Sequence, residues 1–589
     1  MRLILPVFSI ISILLTTAAH TQPADIEDFF EQFTADWVRA NPNQAISTSF
    51  FTGEEQQLLS QQLTPLTPEY RAERISRARE GLAILDTFDP DSLTQTQRIS
   101  AEAMRWQLQM LVEGEPFNDF DFPLQQMSGA NVGLVNQLTV VHPLRSVSDA
   151  QNYIARLQQM DDRMNEAVAE ARRIAELGAV PPAFILRATL NQLERFIAGS
   201  PEENPLTTTL FQKTENVSGL STARRQQLAQ QAAEIVENEV YPAWQRAISV
   251  LQAQLIRATD DAGLWRFPNG EEIYAYHLKR FTTTNLTADQ IHEIGLREVA
   301  AIESQMDVLL RQIGYTEGTV RERVEALKEA MAYPVNDEGR AAIMADIDTY
   351  MRDAERRLVD LFDNRPRSPV IAQPYPEFRW DNAAASYTAP PLDGSRPGVF
   401  QMPLRPNRLT GFALRTLVYH ETVPGHHYQI ALSGEDPDLP RFMQIRAFGG
   451  SSASSEGWAL YAEQLAVEDG WYEGDVEGLI GQLDAALFRA RRLVVDTGLH
   501  AMGWTRQQAI DFGIEASEIE RYVVMPGQAC SYMIGKLRIL ELREKARIAL
   551  GDRFSITDYH NVVLGLGVVP LTILEDAVDR YIAEVSSRS

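Results

Sequence analysis

The chain has 589 residues, 44% hydrophobic and 23% charged, enough to build a large globular core. Its formal charge of −26 argues against a nucleic-acid partner, because gripping a phosphate backbone needs a basic footprint. Cys530 is the only cysteine, so no internal disulfide can form and packing must hold the fold.

In chain order, the first predicted element is a leader. Met1-Arg2 precedes an apolar run from Leu3 to Leu15, and small residues follow through Ala19. This pattern predicts a signal peptide over residues 1–22, cleaved between Ala19 and Ala24. The run is short for a membrane span of ~20 residues, and no cysteine follows it for lipid attachment. The expectation is an exported protein, periplasmic or secreted, with no stable membrane insertion after cleavage.

From Asp25 to about Phe362 the apolar residues recur at helical spacing, as in Ile154, Leu157, Met160, Met164, Ala167 and Ala171. Ser221–Leu255 reads as one long helix, capped at Ser221 and kinked at Pro242. Thr287 to Gln290 resembles a capping box opening another helix. Residues Asn364 to Arg408 are rich in bends. Val370–Ala372, Ala383–Ala389 and Gly398–Met402 are predicted there as short strands of an irregular hairpin. An exposed strand with small side chains would let an extended peptide pair with its backbone.

Three of the nine histidines then fall within eight residues, in Val418-Tyr419-His420-Glu421-Thr422-Val423-Pro424-Gly425-His426-His427. The nearest template is His-Glu-x-x-His, where two histidines one helical turn apart hold zinc and the glutamate acts on water. Here Pro424 stands where the second histidine would be. A spacing of six on a regular helix points ~240° away, whereas Pro-Gly predicts a two-residue bulge that swings His426 back beside His420. His427, seven residues on, keeps the face of an unbroken helix but lies ~10.5 Å along its axis. This favours His426 as ligand, with His427 as a neighbouring or substrate-contacting residue.

Downstream, Gly449–Ser455 is a flexible loop, and Ser454 or Ser455 is expected to cap a helix carrying Glu456 in its first turn, facing a cation. Glu463, two turns on, is a candidate partner for a ligand histidine. Arg492, Asp496 and His500 line one face of a largely apolar helix, with His500 a candidate pocket residue. After a second Pro-Gly step, Gln528 and Tyr532 stand four apart and present an amide and a phenol to one site. Cys530 lies between them, in a context that suggests packing.

With these motifs assembled, the chain resembles the DUF885 family, bacterial proteins that carry His-Glu-x-x-Pro-Gly-His-His, Ser-Glu-Gly-Trp-Ala and Pro-Gly-Gln-Ala-x-x-Tyr in that order. That family in turn resembles the helical gluzincin metallopeptidases of the angiotensin-converting-enzyme and thermostable-carboxypeptidase groups. The resemblance implies a mainly α fold: a large zincin-like helical body with a deep channel and a small β-sheet beside the metal-binding helix. It implies one large domain over residues 23–589, with an N-terminal helical part (23–365) and a metal-site part (366–589). It also implies one Zn²⁺ per chain held by His420, His426 and Glu456, with Glu421 as base and Tyr532 steadying the oxyanion. His500 is a second candidate oxyanion donor. The expected activity is an exported zinc metallopeptidase cleaving short peptides. The alternatives are a zinc hydrolase of another amide or ester, and a binding or scaffold protein on the same fold.

Overall fold

The computed structural model describes residues 25–375, 377, 380, 384–394 and 396–588, so the predicted leader lies outside the described residues. Helices dominate, as the apolar spacing requires. The predicted box at Thr287 forms, with Thr287 Oγ1 accepting from the Gln290 N–H and Gln290 answering on the Thr287 N–H. Ser221 caps Thr222–Ile235 as expected. The long helix beyond it differs from expectation. A π-helical turn at Val236–Val240 separates it from Tyr241–Leu255, which begins beside Pro242. Proline has no N–H to give, and the wider turn accommodates that gap.

The N-terminal helices do not fold apart from the rest. Phe29, Phe33 and Trp37 of Ile26–Arg39 share a core with Phe442, Phe448 and Trp458. The Phe30 and Phe442 rings lie 5.3 Å apart, and the Trp37 indole N–H donates to the Ala447 carbonyl at 3.1 Å. A second core holds the helices between residues 134 and 251. A third joins Ala288–Gln312 to Val476–His500, where Gly295 allows close approach: a Cβ there would lie 2.7 Å from Val494. Among the described residues no helix is long and apolar enough to cross a membrane.

The predicted hairpin is a three-stranded sheet. Gly398–Met402 is central, antiparallel to the edge strand Ser386–Thr388 and parallel to Val370–Pro374. Of the predicted Ala383–Ala389 segment, Ala383 lies outside the described residues. Phe400 and Met402 pack with Leu414 and Val418, which seats the helix carrying His420 on the sheet.

Candidate metal centre

Leu414–Glu421 is a two-turn helix whose buried Leu414 and Val418 face the sheet, leaving His420 and Glu421 at its C-terminal end. The expected bulge is in fact a full break. The helix stops at Thr422, the Val423–Pro424 peptide is cis, and a new helix, His426–Glu435, starts at His426. Gly425 is required by space: a Cβ there would lie 2.0 Å from the His420 carbonyl oxygen. Trp458 closes the break from outside, its indole N–H donating to the Pro424 carbonyl at 2.8 Å.

The third element is Ser452–Glu468, which starts earlier than expected. Ser451 is its cap, accepting from the Ser454 N–H at 3.1 Å, so Glu456 sits in the second turn rather than the first. Gly457 brings this helix against Ser531–Leu550. A Cβ on Gly457 would meet the Gly535 backbone at 2.5 Å, and one on Gly535 would meet the Ala453 carbonyl at 2.0 Å.

These elements bring His420, His426 and Glu456 together, with one ligand atom from each lying within 4.8 Å of the others. The two imidazole rings are 4.7 Å apart and nearly perpendicular. Glu456 Oε2 lies 3.2 Å from His426 Nε2 and 3.7 Å from His420 Nε2. It is nevertheless buried without a properly aligned hydrogen bond. His420 Nδ1 is 2.7 Å from Glu463 Oε1, the partner expected for that carboxylate. Glu463 thereby fixes the ring so that Nε2 faces the cluster.

The electrostatics follow from this crowding. Burial opposes charge on His420, but the Glu456 and Glu463 carboxylates outweigh it and raise its pKa to about 9. Burial would raise Glu456, yet the His426 and His420 rings hold it well below the usual carboxylate range. Glu421 is 7% exposed, and its carboxylate has no hydrogen-bond or ion-pair partner among the described residues. A cavity of about 650 Å³ is lined by Leu417, Glu463, Phe488 and Arg489, so open space reaches the carboxylate behind His420.

The remaining candidates separate. His427 turns away from the cluster, its Nδ1 3.0 Å from the Tyr387 hydroxyl and its Nε2 3.0 Å from the Ser368 carbonyl oxygen. Burial lowers its pKa to about 4. The small residue at Gly398 makes room for this contact, since a Cβ there would lie 2.7 Å from His427 Nδ1. Gln528 accepts from Arg521, and its amide N–H donates to Ser452 Oγ at 3.3 Å. Ser452 is one turn before Glu456 and also meets Ser531 Oγ at 2.8 Å. Tyr532, next to Ser531, is half-buried with the Arg492 guanidinium 4.4 Å from its ring centre.

His500 does not line a pocket. It is 1% exposed, its Nδ1 accepts from the Leu264 N–H at 3.3 Å and its Nε2 lies 3.0 Å from the Tyr522 carbonyl oxygen. With both nitrogens committed to backbone and burial holding its pKa at about 4, it has no donor for a reacting group. Arg492 is likewise buried, bonded to Tyr522 and Glu518. Asp496 accepts from the Tyr274 hydroxyl at 2.6 Å and the Gly527 N–H at 2.9 Å, which fixes the second Pro-Gly step. Cys530 packs beside them, its thiol pushed up by burial.

Two contributors escaped sequence reasoning. Trp458 had its signal in the Ser-Glu-Gly-Trp run, but nothing local says that its indole reaches Pro424. Tyr387 sat in a predicted strand, and only the sheet's placement brings it to His427.

Comparisons place this architecture. A comparison with curated proteins finds no match. A crystal structure described as "the putative lipoprotein from Colwellia psychrerythraea" superimposes with a TM-score of 0.87 at 33% identity, covering 94% of this chain and 99% of that one. "A putative lipoprotein of unknown function from Shewanella oneidensis" shares the fold, with a TM-score of 0.70 at 19% identity and the same coverages, 94% and 99%. A family model described as "Bacterial protein of unknown function (DUF885)" matches residues 46–578, and with it the chain belongs to the DUF885 family.

Proposed function

We propose that this protein is an exported zinc-dependent hydrolase that cleaves short peptides, a gluzincin-like metallopeptidase whose substrate channel opens over His420 and His426. The observation that carries the reading is the convergence of His420, His426 and Glu456 around a buried carboxylate oxygen that has no aligned hydrogen bond. Two imidazoles and one carboxylate are the donor set of a catalytic zinc site with an open position. Zinc bound there would lower the pKa of a water molecule and polarise a substrate carbonyl.

The chain's own groups do the rest. Glu463 accepts from His420 Nδ1 and fixes the ring, so that Nε2 faces the cluster and is the nitrogen that would give up its proton to bind a metal. Glu421, adjacent to His420 and without a partner, accepts a proton from the attacking water and returns it to the leaving amine. The Tyr532 phenol donates to the developing oxyanion. The edge strand Ser386–Thr388 offers its free backbone edge to an extended peptide. Export is supported by the apolar leader and by the description of the 33%-identical relative as a "putative lipoprotein".

The test measures zinc content and digestion of a broad peptide library on the same preparations of the parent and Glu421→Gln. Both should hold one zinc per chain, and Glu421→Gln should lose turnover by ~10² or more, because proton transfer is lost while the near-isosteric amide keeps the fold. Equal cleavage by the two proteins would overturn the mechanism. One zinc per chain with no peptide cleaved would shift the reading to a non-peptide amide or ester.

A further inference from the structure

A second cavity, of about 990 Å³, is bounded by residues that include Ser47, Thr388, Pro390, Arg396, Ile430 and Arg446. One of its lining residues, Ile430, is one turn beyond His426 on the helix His426–Glu435, ~6 Å along the axis. The Ser368 carbonyl oxygen, on the cavity's lining, lies 3.0 Å from His427 Nε2, and Thr388 of the lining follows Tyr387, whose hydroxyl lies 3.0 Å from His427 Nδ1.

The cavity carries charge that the protein leaves unanswered. The Arg446 guanidinium has no hydrogen bond or ion pair among the described residues, in a chain whose net charge is −26. Its surroundings are largely buried, and burial lowers its pKa, with the Tyr387 phenol the only group opposing that shift. Arg396, also on the lining, has one polar contact among the described residues, from its Nη1 to the Pro397 carbonyl oxygen at 3.5 Å, and Asp393 lies near enough to favour its charge. Arg367 is already neutralised by Glu435. Arg446 is also one of four non-glycine residues with positive φ among the described residues, at 54°. That conformation closes the helix Arg441–Gln444, with the Ala447 N–H donating to the Phe442 carbonyl at 2.8 Å and the Arg446 N–H to the Met443 carbonyl at 3.2 Å. Arg446 is partly exposed to the cavity, and the planar fork of its guanidinium matches a carboxylate.

We infer that this cavity is a specificity site for a carboxylate of the substrate, an acidic side chain or a chain terminus, gripped by Arg446 with Arg396 beside it. The inference rests on the hydrolase reading and names its substrate class: short acidic peptides. Tyr387 links the two regions, since it lies near Arg446 and its hydroxyl touches His427, the residue after His426.

The experiment uses the zinc-loaded protein and short peptides that differ only by Glu or Gln at each position, or by a free or amidated C-terminus. Equilibrium binding and kcat/KM are measured for the parent, Arg446→Gly and Arg446→Lys. The parent should favour one carboxylate position by about 10-fold or more, the scale of a charge-assisted contact. Arg446→Gly should reduce that ratio to about 2-fold or less, with Arg446→Lys between. Glycine suits the positive φ, so Arg446→Gly should fold with no loss in Tm and full zinc content. A preference for a side-chain position or for the free terminus tells the two carboxylate sources apart. Equal binding of every pair by the parent, or an undiminished preference in Arg446→Gly, overturns the inference. Because binding needs no turnover, this outcome is separate from the zinc and cleavage results that judge the hydrolase reading.

Discussion

His426 and His427 are neighbours in sequence and opposites in environment. His426 begins a helix and turns Nε2 to Glu456 at 3.2 Å, while His427 is spent on Tyr387 and Ser368. The two substitutions should therefore fail differently. His426→Ala should lose zinc while keeping most of its stability. His427→Ala should keep zinc but lose about 2 kcal/mol, because it leaves a buried hydroxyl and carbonyl without their partner. Metal analysis with denaturant unfolding of both variants checks this. Zinc lost from His427→Ala and retained in His426→Ala would show that the longer spacing holds the metal. That Glu463 would face a ligand histidine was legible from helical spacing, because residues seven apart on Ser452–Glu468 repeat a face, but only the structure showed that the histidine is His420. The fate of His500 was not legible, since its partners, Leu264 and Tyr522, come from segments distant in sequence.

Among the elements, Val476–His500 shows how a buried charge can serve positioning. Asp496 sits at 0% exposure, and burial raises its pKa from 3.8 to about 7 despite the opposing Tyr274 and Gly527 hydrogen bonds and the Arg521 charge. Its folded state holds the proton more tightly than the unfolded chain does. The stability this group contributes is therefore complete below about pH 4 and is lost as pH rises to about 7. The rise corresponds to about 4 kcal/mol at most. Asp496→Asn keeps an oxygen for Tyr274 and Gly527 and removes the titration. Its stability relative to the parent should climb between pH 4 and 7 and then level off. Urea unfolding of both proteins across that range is the measurement, and a constant difference would mean that Asp496 does not change its protonation in the fold. The boundaries of Ser452–Glu468 and the break at Thr422 carry a related lesson. Each moved by a few residues from expectation because capping at Ser451 and packing at Gly425 and Gly457 decided them.

Across the whole molecule, the three proposed ligands come from three separate helices, Leu414–Glu421, His426–Glu435 and Ser452–Glu468, which meet the N-terminal helices in one core. A metal there would bind the folded chain alone and stabilise it by about 4 kcal/mol when supplied at a thousand times its Kd. A chelator should thus lower the parent's Tm by several degrees and leave that of Glu456→Ala unchanged. A chelator with no effect on the zinc-loaded parent would remove the metal from those three residues.

The sequence by itself determined the helical character, the caps at Ser221 and Thr287, and the residues gathered at the candidate centre, because spacing, capping chemistry and the Pro-Gly steps are local. Only the tertiary structure decided that Glu456 meets both histidines, that Trp458 closes the Pro424 break, and that Arg446, without a partner among the described residues, lines a cavity that Ile430 also lines. Those relations depend on which surfaces pack together, and packing is set by the summed burial of cores that join residues hundreds of positions apart.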